Sequence, residues 1–134
     1  MLLALAACAA AGAPEGVGAG VLAPCPPTPN CVSTEATDPE HAIAPLRFAG
    51  DPAAAHDRLV AVIAAMPRAR VVRDEPRYLH VAFTSRVLRF VDDVELVVGD
   101  GEVRFRSASR VGRGDLGVNR ARMEAIRAAF EGGV

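Results

Sequence analysis

The chain has 134 residues, enough for one domain and too few for two ordinary ones. Its 15 cationic side chains are all Arg and face 16 Asp and Glu, a balance that excludes a general nucleic-acid binder with its basic surplus. Apolar residues make up 51%, enough for a core, but with five Phe, one Tyr and no Trp that core must be mostly aliphatic.

Met1 to Ala11 is apolar and uncharged. Leu5-Ala6-Ala7-Cys8 resembles the bacterial lipobox, after which the Cys is lipidated and becomes the mature N-terminus. A signal peptide opens with Lys or Arg before its apolar stretch, whereas no charge precedes Cys8. Seven helical residues also span only roughly 10 Å of a ~30 Å hydrocarbon core. Two readings stand: residues 1–8 are a lipoprotein signal whose true start lies upstream, or they are an Ala-rich leader. No stretch is long and apolar enough for a transmembrane helix. Residues 9–21 are Ala, Gly, Pro and Val with one charge, Glu15, and read as a linker. Residues 22–134 then form a single globular domain.

Cys25 and Cys31 enclose five residues, three of them Pro, so the stretch is neither helix nor central strand. In an exported protein they can close a small disulfide loop, and the alternative is two free thiols. A zinc site with His41 fits poorly, because the spacing lacks a short Cys–Cys bite and a fourth ligand. His56 and His80 read as surface or half-buried side chains.

Asp51-Pro52 starts a helix, with Asp at the N-cap and Pro at the first position. Ala55, Leu59, Val62, Ile63 and Met66 form its apolar face, and Pro67 stops it. Ala69 to Arg73 is a short strand and Asp74 to Arg77 a turn. Tyr78 to Ser85 alternates, with Leu79, Val81 and Phe83 on one face and His80, Ala82 and Thr84 on the other. A third strand covers Leu88 to Val98, Asp100-Gly101 makes a two-residue hairpin, and Glu102 to Ser109 is the fourth strand.

That hairpin fixes a register. Val98 faces Val103 and Leu96 faces Phe105 on the apolar side; Glu95 faces Arg106 on the other, with Asp93 diagonal to Arg106. The outer face becomes an acid–Arg ladder, either solvated or a recognition surface. On the apolar side, Val94 faces Ser107 and Asp92 faces Ser109. A carboxylate of core-facing parity needs donors, here the two hydroxyls, unless a bulge turns it outward.

The loop from Gly112 to Gly117 leads to the last helix, whose stripe is Asn119, Met123, Ile126 and Phe130. Arg120, Glu124, Arg127 and Glu131 share its exposed face, and Gly132 is a C-cap candidate. Asp115 and Asn119 are both able to cap its start. The layout predicts an α+β fold: a mostly antiparallel sheet of about four strands, two helices on one face, and an irregular Pro-rich segment ahead of them.

No motif of known mechanism is present, whether nucleophile elbow, zincin helix, P-loop or dinucleotide fingerprint. Asp92 and Asp93 point to opposite faces of a strand and cannot act as one acid–base dyad. What remains is a polar constellation of Asp92, Ser107, Ser109, Arg110, Asp115, Asn119, Arg120 and Arg122, where a strand end meets a helix start. Arg110, Arg113 and Arg120 have only Asp115 as a nearby acid in the connection, so the place favours anions.

Three ordered blocks carry a resemblance. The first is Leu22, Pro24, Cys25, Pro26, Pro29, Asn30, Cys31, Val32 and Ser33. The second is Phe90-Val91-Asp92-Asp93-Val94-Glu95. The third runs from Arg106 to Arg110, then Gly112, Asp115, Gly117, Asn119, Arg120 and Arg122. Over residues 22 to 131 they resemble an uncharacterised bacterial and plastid family, domain of unknown function fourteen ninety-nine. Thr34 departs from its pattern, where a second Ser is expected. The resemblance places weight on the constellation but implies no activity.

The expectation is therefore an envelope protein on the periplasmic side, held to the membrane only by a lipid anchor at Cys8, with no cofactor, no metal and no nucleic-acid partner. Its first functional reading is a non-enzymatic module that binds a small anionic or lipidic ligand or a partner protein. The second is an enzyme using Asp92 with Ser109, Arg110, Asp115 and Asn119. A third is purely structural, the constellation being a hydrogen-bonded corner.

Overall fold

In the computed structural model, which describes residues 21–132, Asp51 caps the first helix as its sequence requires. Its carboxylate accepts from the Ala53 backbone N–H at 3.0 Å, and Pro52 opens the helix α1 (Pro52–Ala64). Ala55, Leu59 and Ile63 are the buried stripe of α1. Cys8 and residues 9–20 lie outside the described residues. Among the described residues no helix is long and apolar enough to cross a membrane.

Six strands form one sheet. They are β1 (Cys31–Ser33), β2 (Leu46–Arg47), β3 (Ala69–Glu75), β4 (Tyr78–Thr84), β5 (Val91–Val98) and β6 (Glu102–Ser109), followed by α2 (Val118–Gly132). The order across the sheet is β1-β6-β5-β4-β3, with β2 also on β6, and all of these pairings are antiparallel. The fold is α+β, and the Asp100-Gly101 hairpin holds the expected register from Val98–Val103 to Asp92–Ser109.

Two strands more than expected are present, because the Pro-rich segment is not wholly irregular. Cys31–Ser33 and Leu46–Arg47 pair with β6 and cover the edge it would otherwise expose. Strands of three and two residues are too short for alternation to be read from sequence. β3 runs two residues further than expected, to Glu75, with a bulge between Val71 and Arg73. β5 starts at Val91 rather than Leu88, leaving Val87, Leu88 and Phe90 on an exposed loop.

One face of the sheet carries both helices and the main core: Leu59, Ile63, Leu79, Val81, Val94, Leu96, Val103, Phe105, Met123, Ile126 and Phe130. α2 buries the expected stripe, Asn119 included. Gly132, expected to cap this helix, is instead its last described residue and still helical. The opposite face is buried too, against the expectation of a solvated ladder: His80, Asp93, Glu95 and Arg106 are all under 10% exposed. Leu22 is buried, and the Pro24 carbonyl accepts a hydrogen bond from Arg106, so the segment before β1 closes over part of this face.

Candidate functional site

Asp92 keeps its core-facing parity, since β5 and β6 pair without a bulge. Its donor is not a serine. Arg122 reaches down from the second turn of α2 and places Nη2 2.6 Å from Asp92 Oδ2. The same guanidinium donates to Asn119 Oδ1 at 2.9 Å and lies over the Phe83 ring at 4.7 Å. Ser107 Oγ also donates to Asn119 Oδ1, at 2.6 Å. The Asn119 amide nitrogen donates to Asp115 Oδ2 at 2.8 Å, to Ser109 Oγ at 3.0 Å and to the Asn30 carbonyl at 3.3 Å. Asn119 thus joins strand end, helix start and the segment before β1, with all its polar capacity spent on protein partners.

Asp115 alone caps α2, because Asn119 turns inward. Its carboxylate accepts from the backbone N–H of Gly117 at 2.8 Å and of Asn119 at 3.1 Å. Burial pushes the Asp115 carboxyl up, but these bonds and the Asn119 side chain outweigh it and hold it below the usual carboxylate range.

Two expected members stand apart from this group. Arg110 has the opposite parity and makes a two-pronged ion pair with Asp93 on the other face, Nε to Oδ2 at 2.8 Å and Nη2 to Oδ1 at 2.9 Å. Arg120 leaves the helix flank and donates to the backbone carbonyls of Ala42 and Glu40, each at 3.1 Å. The local surplus of positive charge expected at the helix start is therefore largely absorbed; of its three arginines, Arg113 alone has no carboxylate or carbonyl partner among the described residues.

His80, read from the sequence as a surface or half-buried side chain, is instead buried, and its Nε2 lies 2.8 Å from Asp93 Oδ1. Burial raises the Asp93 carboxyl, while hydrogen bonds from His80 and Arg110 bring it below its ordinary value. The register that places His80 beside Asp93 belongs to β4–β5, whose six-residue connection does not fix pairing as a two-residue turn does. Asn30 was marked only by the family-like block. It is buried, donates to the Gly112 carbonyl at 2.8 Å and accepts from Ser109 N–H at 3.0 Å.

Cys25 and Cys31 form a disulfide with a Cα–Cα distance of 5.7 Å, which removes the thiols from any zinc site with His41. His41 instead has Nδ1 2.6 Å from Asp38 Oδ2 and Nε2 2.9 Å from the Thr28 carbonyl.

What this end of the sheet exposes lies on two loops, residues 85–90 and 110–117. Of the nine large apolar side chains exposed among the described residues, six belong to these loops or the first residue of α2: Val87, Leu88, Phe90, Val111, Leu116 and Val118. A cleft of about 110 Å³ separates the loops, walled by Phe90, Val111 and Val118 and floored by Asp92, Ser109 and Asp115. Arg86 and Arg89 lie on the first of these loops and Arg113 on the second, and Arg68 shares a neighbouring hollow with Ser85, Arg86 and Val118; all four are exposed, with no carboxylate partner among the described residues. At the other end of the sheet the arrangement is reversed: Arg77 pairs with Asp100 and Arg47 with Glu102.

A family model described as "Protein of unknown function (DUF1499)" matches residues 21–130. No curated protein matches the chain, and no solved structure does. The chain belongs to that family.

Proposed function

We propose that this family member is a non-enzymatic module of the cell envelope that binds an anionic, lipidic ligand at its loop end. One observation carries this reading. The polar residues that would serve catalysis are engaged with one another, whereas the exposed groups are apolar side chains ringed by arginines without carboxylate partners. The floor of the cleft argues for an amphiphile over a simple anion. Asp92 and Asp115 line it, so a bare anion deep in the cleft meets two carboxylates. An acyl chain among Phe90, Val111 and Val118 leaves its headgroup at the rim, beside arginine. The buried network then acts as the frame that holds both loops.

The envelope location is supported by the Cys25–Cys31 disulfide, since disulfides persist in oxidising compartments, and by the lipobox-like run at Cys8. Intact-mass measurement on native protein tests it. A diacylglyceryl mass on a chain beginning at Cys8 is expected; unmodified Met1 on cytoplasmic protein overturns it.

Ligand binding is tested with a short-chain phosphatidylglycerol below its micelle concentration, followed by isothermal titration. The wild type is expected to bind, and Arg86→Ala/Arg89→Ala/Arg113→Ala to bind weakly with unchanged melting. No binding by the wild type overturns the reading. Asp92 and Ser109 do line the cleft, so an enzyme remains the second reading. Turnover of the same lipid, abolished in Asp92→Asn, is the result that replaces the first reading with this one.

A further inference from the structure

The loop end has a shape and charge that go beyond a pocket for one molecule, and we infer that it is a docking surface for an anionic lipid bilayer. This inference rests on the binding module proposed above and names the phase that supplies its ligand. The apolar side chains here stand out from the surface and are not recessed. Val87 is 82% exposed, Leu88 68%, and Leu116 is fully exposed. A rigid protein groove would have to match each of these tips, whereas a fluid headgroup–acyl boundary closes around them.

Arginine dominates the charges at this end, with the exposed Glu40 beside Leu116 as a counter-charge. Arg86 and Arg89 flank Leu88 in the sequence, Arg113 sits three residues before Leu116, and Arg68 borders the same end beside Thr84. Three of the acids at this end are already committed: Asp92 to Arg122, Asp93 to Arg110, and Asp115 to the cap of α2. An arginine-rich rim around apolar tips complements a layer of lipid phosphates. Backbone geometry points the same way. Leu116 at φ 54° and Arg89 at φ 57° hold left-handed conformations that bulky side chains rarely adopt. A fully exposed Leu in that conformation contributes nothing to the core, so the fold bears strain at the tip of the loop.

The test uses the full chain carrying Cys8→Ser, so that no acyl anchor can contribute. Flotation is measured with vesicles of equal phosphatidylglycerol and phosphatidylcholine, and with pure phosphatidylcholine. Binding to the anionic vesicles is expected, weakening as salt rises, with little on phosphatidylcholine. Replacing Arg86, Arg89 and Arg113 by Ala together should lower partitioning by roughly a hundredfold. Leu88→Asp should lower it about tenfold or more while leaving melting unchanged. Equal binding to both vesicle types, or none to either, overturns the docking surface. If the soluble short-chain phosphatidylglycerol binds but vesicles do not, the bilayer inference fails and the ligand-binding module stands. If neither binds, both fall. Self-association through the loop end, abolished by Leu88→Asp without vesicle binding, also overturns it in favour of a second copy.

Discussion

Arg122 Nη2 lies 2.6 Å from Asp92 Oδ2, and this contact ties the second turn of α2 to the start of β5. Both side chains are nearly buried, and the carboxylate sits on the face of the sheet that carries the core. Removing the arginine therefore strands a charge. We expect Arg122→Met to destabilise the chain by about 3–5 kcal/mol, the usual cost of breaking a buried pair on one side. Asp92→Asn with Arg122→Met should recover part of that loss, because no charge is left uncompensated. Urea denaturation of the wild type and the two variants checks it. Equal stability of Arg122→Met and wild type would show that the pair is solvated.

How far this corner was legible in the sequence depends on which register controls each residue. A two-residue turn fixes the β5–β6 register, so the inward parity of Asp92, Ser107 and Ser109 followed by counting, and Asn119 followed from the helical stripe. The identity of Asp92's partner did not follow, because Arg122 lies off that stripe and reaches across only because its long stem can. The Asp93–His80 contact needed the β4–β5 register, which no short turn sets. Burial of the outer face depended on the segment before β1, whose path no periodicity reveals. The sequence extends β5 back to Leu88 because Leu88 and Phe90 alternate as a strand does, a pattern that an exposed loop also satisfies.

The Cys25–Cys31 bridge closes a loop of about seven residues, for which loop-closure entropy alone gives roughly 2.4 kcal/mol. Cys31 is fully buried at the start of β1, the strand that covers the edge of β6. Cys25→Ser with Cys31→Ser should lower stability by about that amount and loosen β1 first. Hydrogen exchange at Val32 and Ser33 is expected to accelerate more than exchange at Val94 or Leu96. Uniform acceleration across the sheet would show that the bridge stabilises the whole fold and not its edge.

Acid should unfold the chain through Asp93. Its folded carboxyl titrates below the ordinary value of 3.8, because His80 and Arg110 donate to the charged form. A group depressed on folding contributes stability above its unfolded value, and loses that contribution as pH falls through its folded one. The Asp93 contribution should thus be level above about pH 5 and decline below about pH 4. Asp93→Asn should be less stable at pH 6 and show a shallower decline in acid. A decline of wild-type steepness in Asp93→Asn would assign the acid limb to another carboxylate, with Asp115 next in line.

His41 sets the opposite slope. Both of its ring nitrogens face acceptors, Asp38 Oδ2 at Nδ1 and the Thr28 carbonyl at Nε2. A neutral imidazole carries one N–H and can serve only one of them, so the imidazolium is favoured. The hydrogen bond to Thr28 leads in raising His41 above its ordinary value of 6.5, opposed by burial and assisted by Asp38 and Glu40. A group raised on folding contributes fully below its unfolded value, and that contribution is lost as pH rises through the folded one. Stability should therefore fall as pH climbs from about 6.5 into the alkaline range. His41→Gln keeps one donor, cannot titrate, and should remove that slope. Chemical denaturation at pH 6 and pH 9 separates the cases. The same loss between the two pH values in His41→Gln as in wild type would show that a different group carries the alkaline limb.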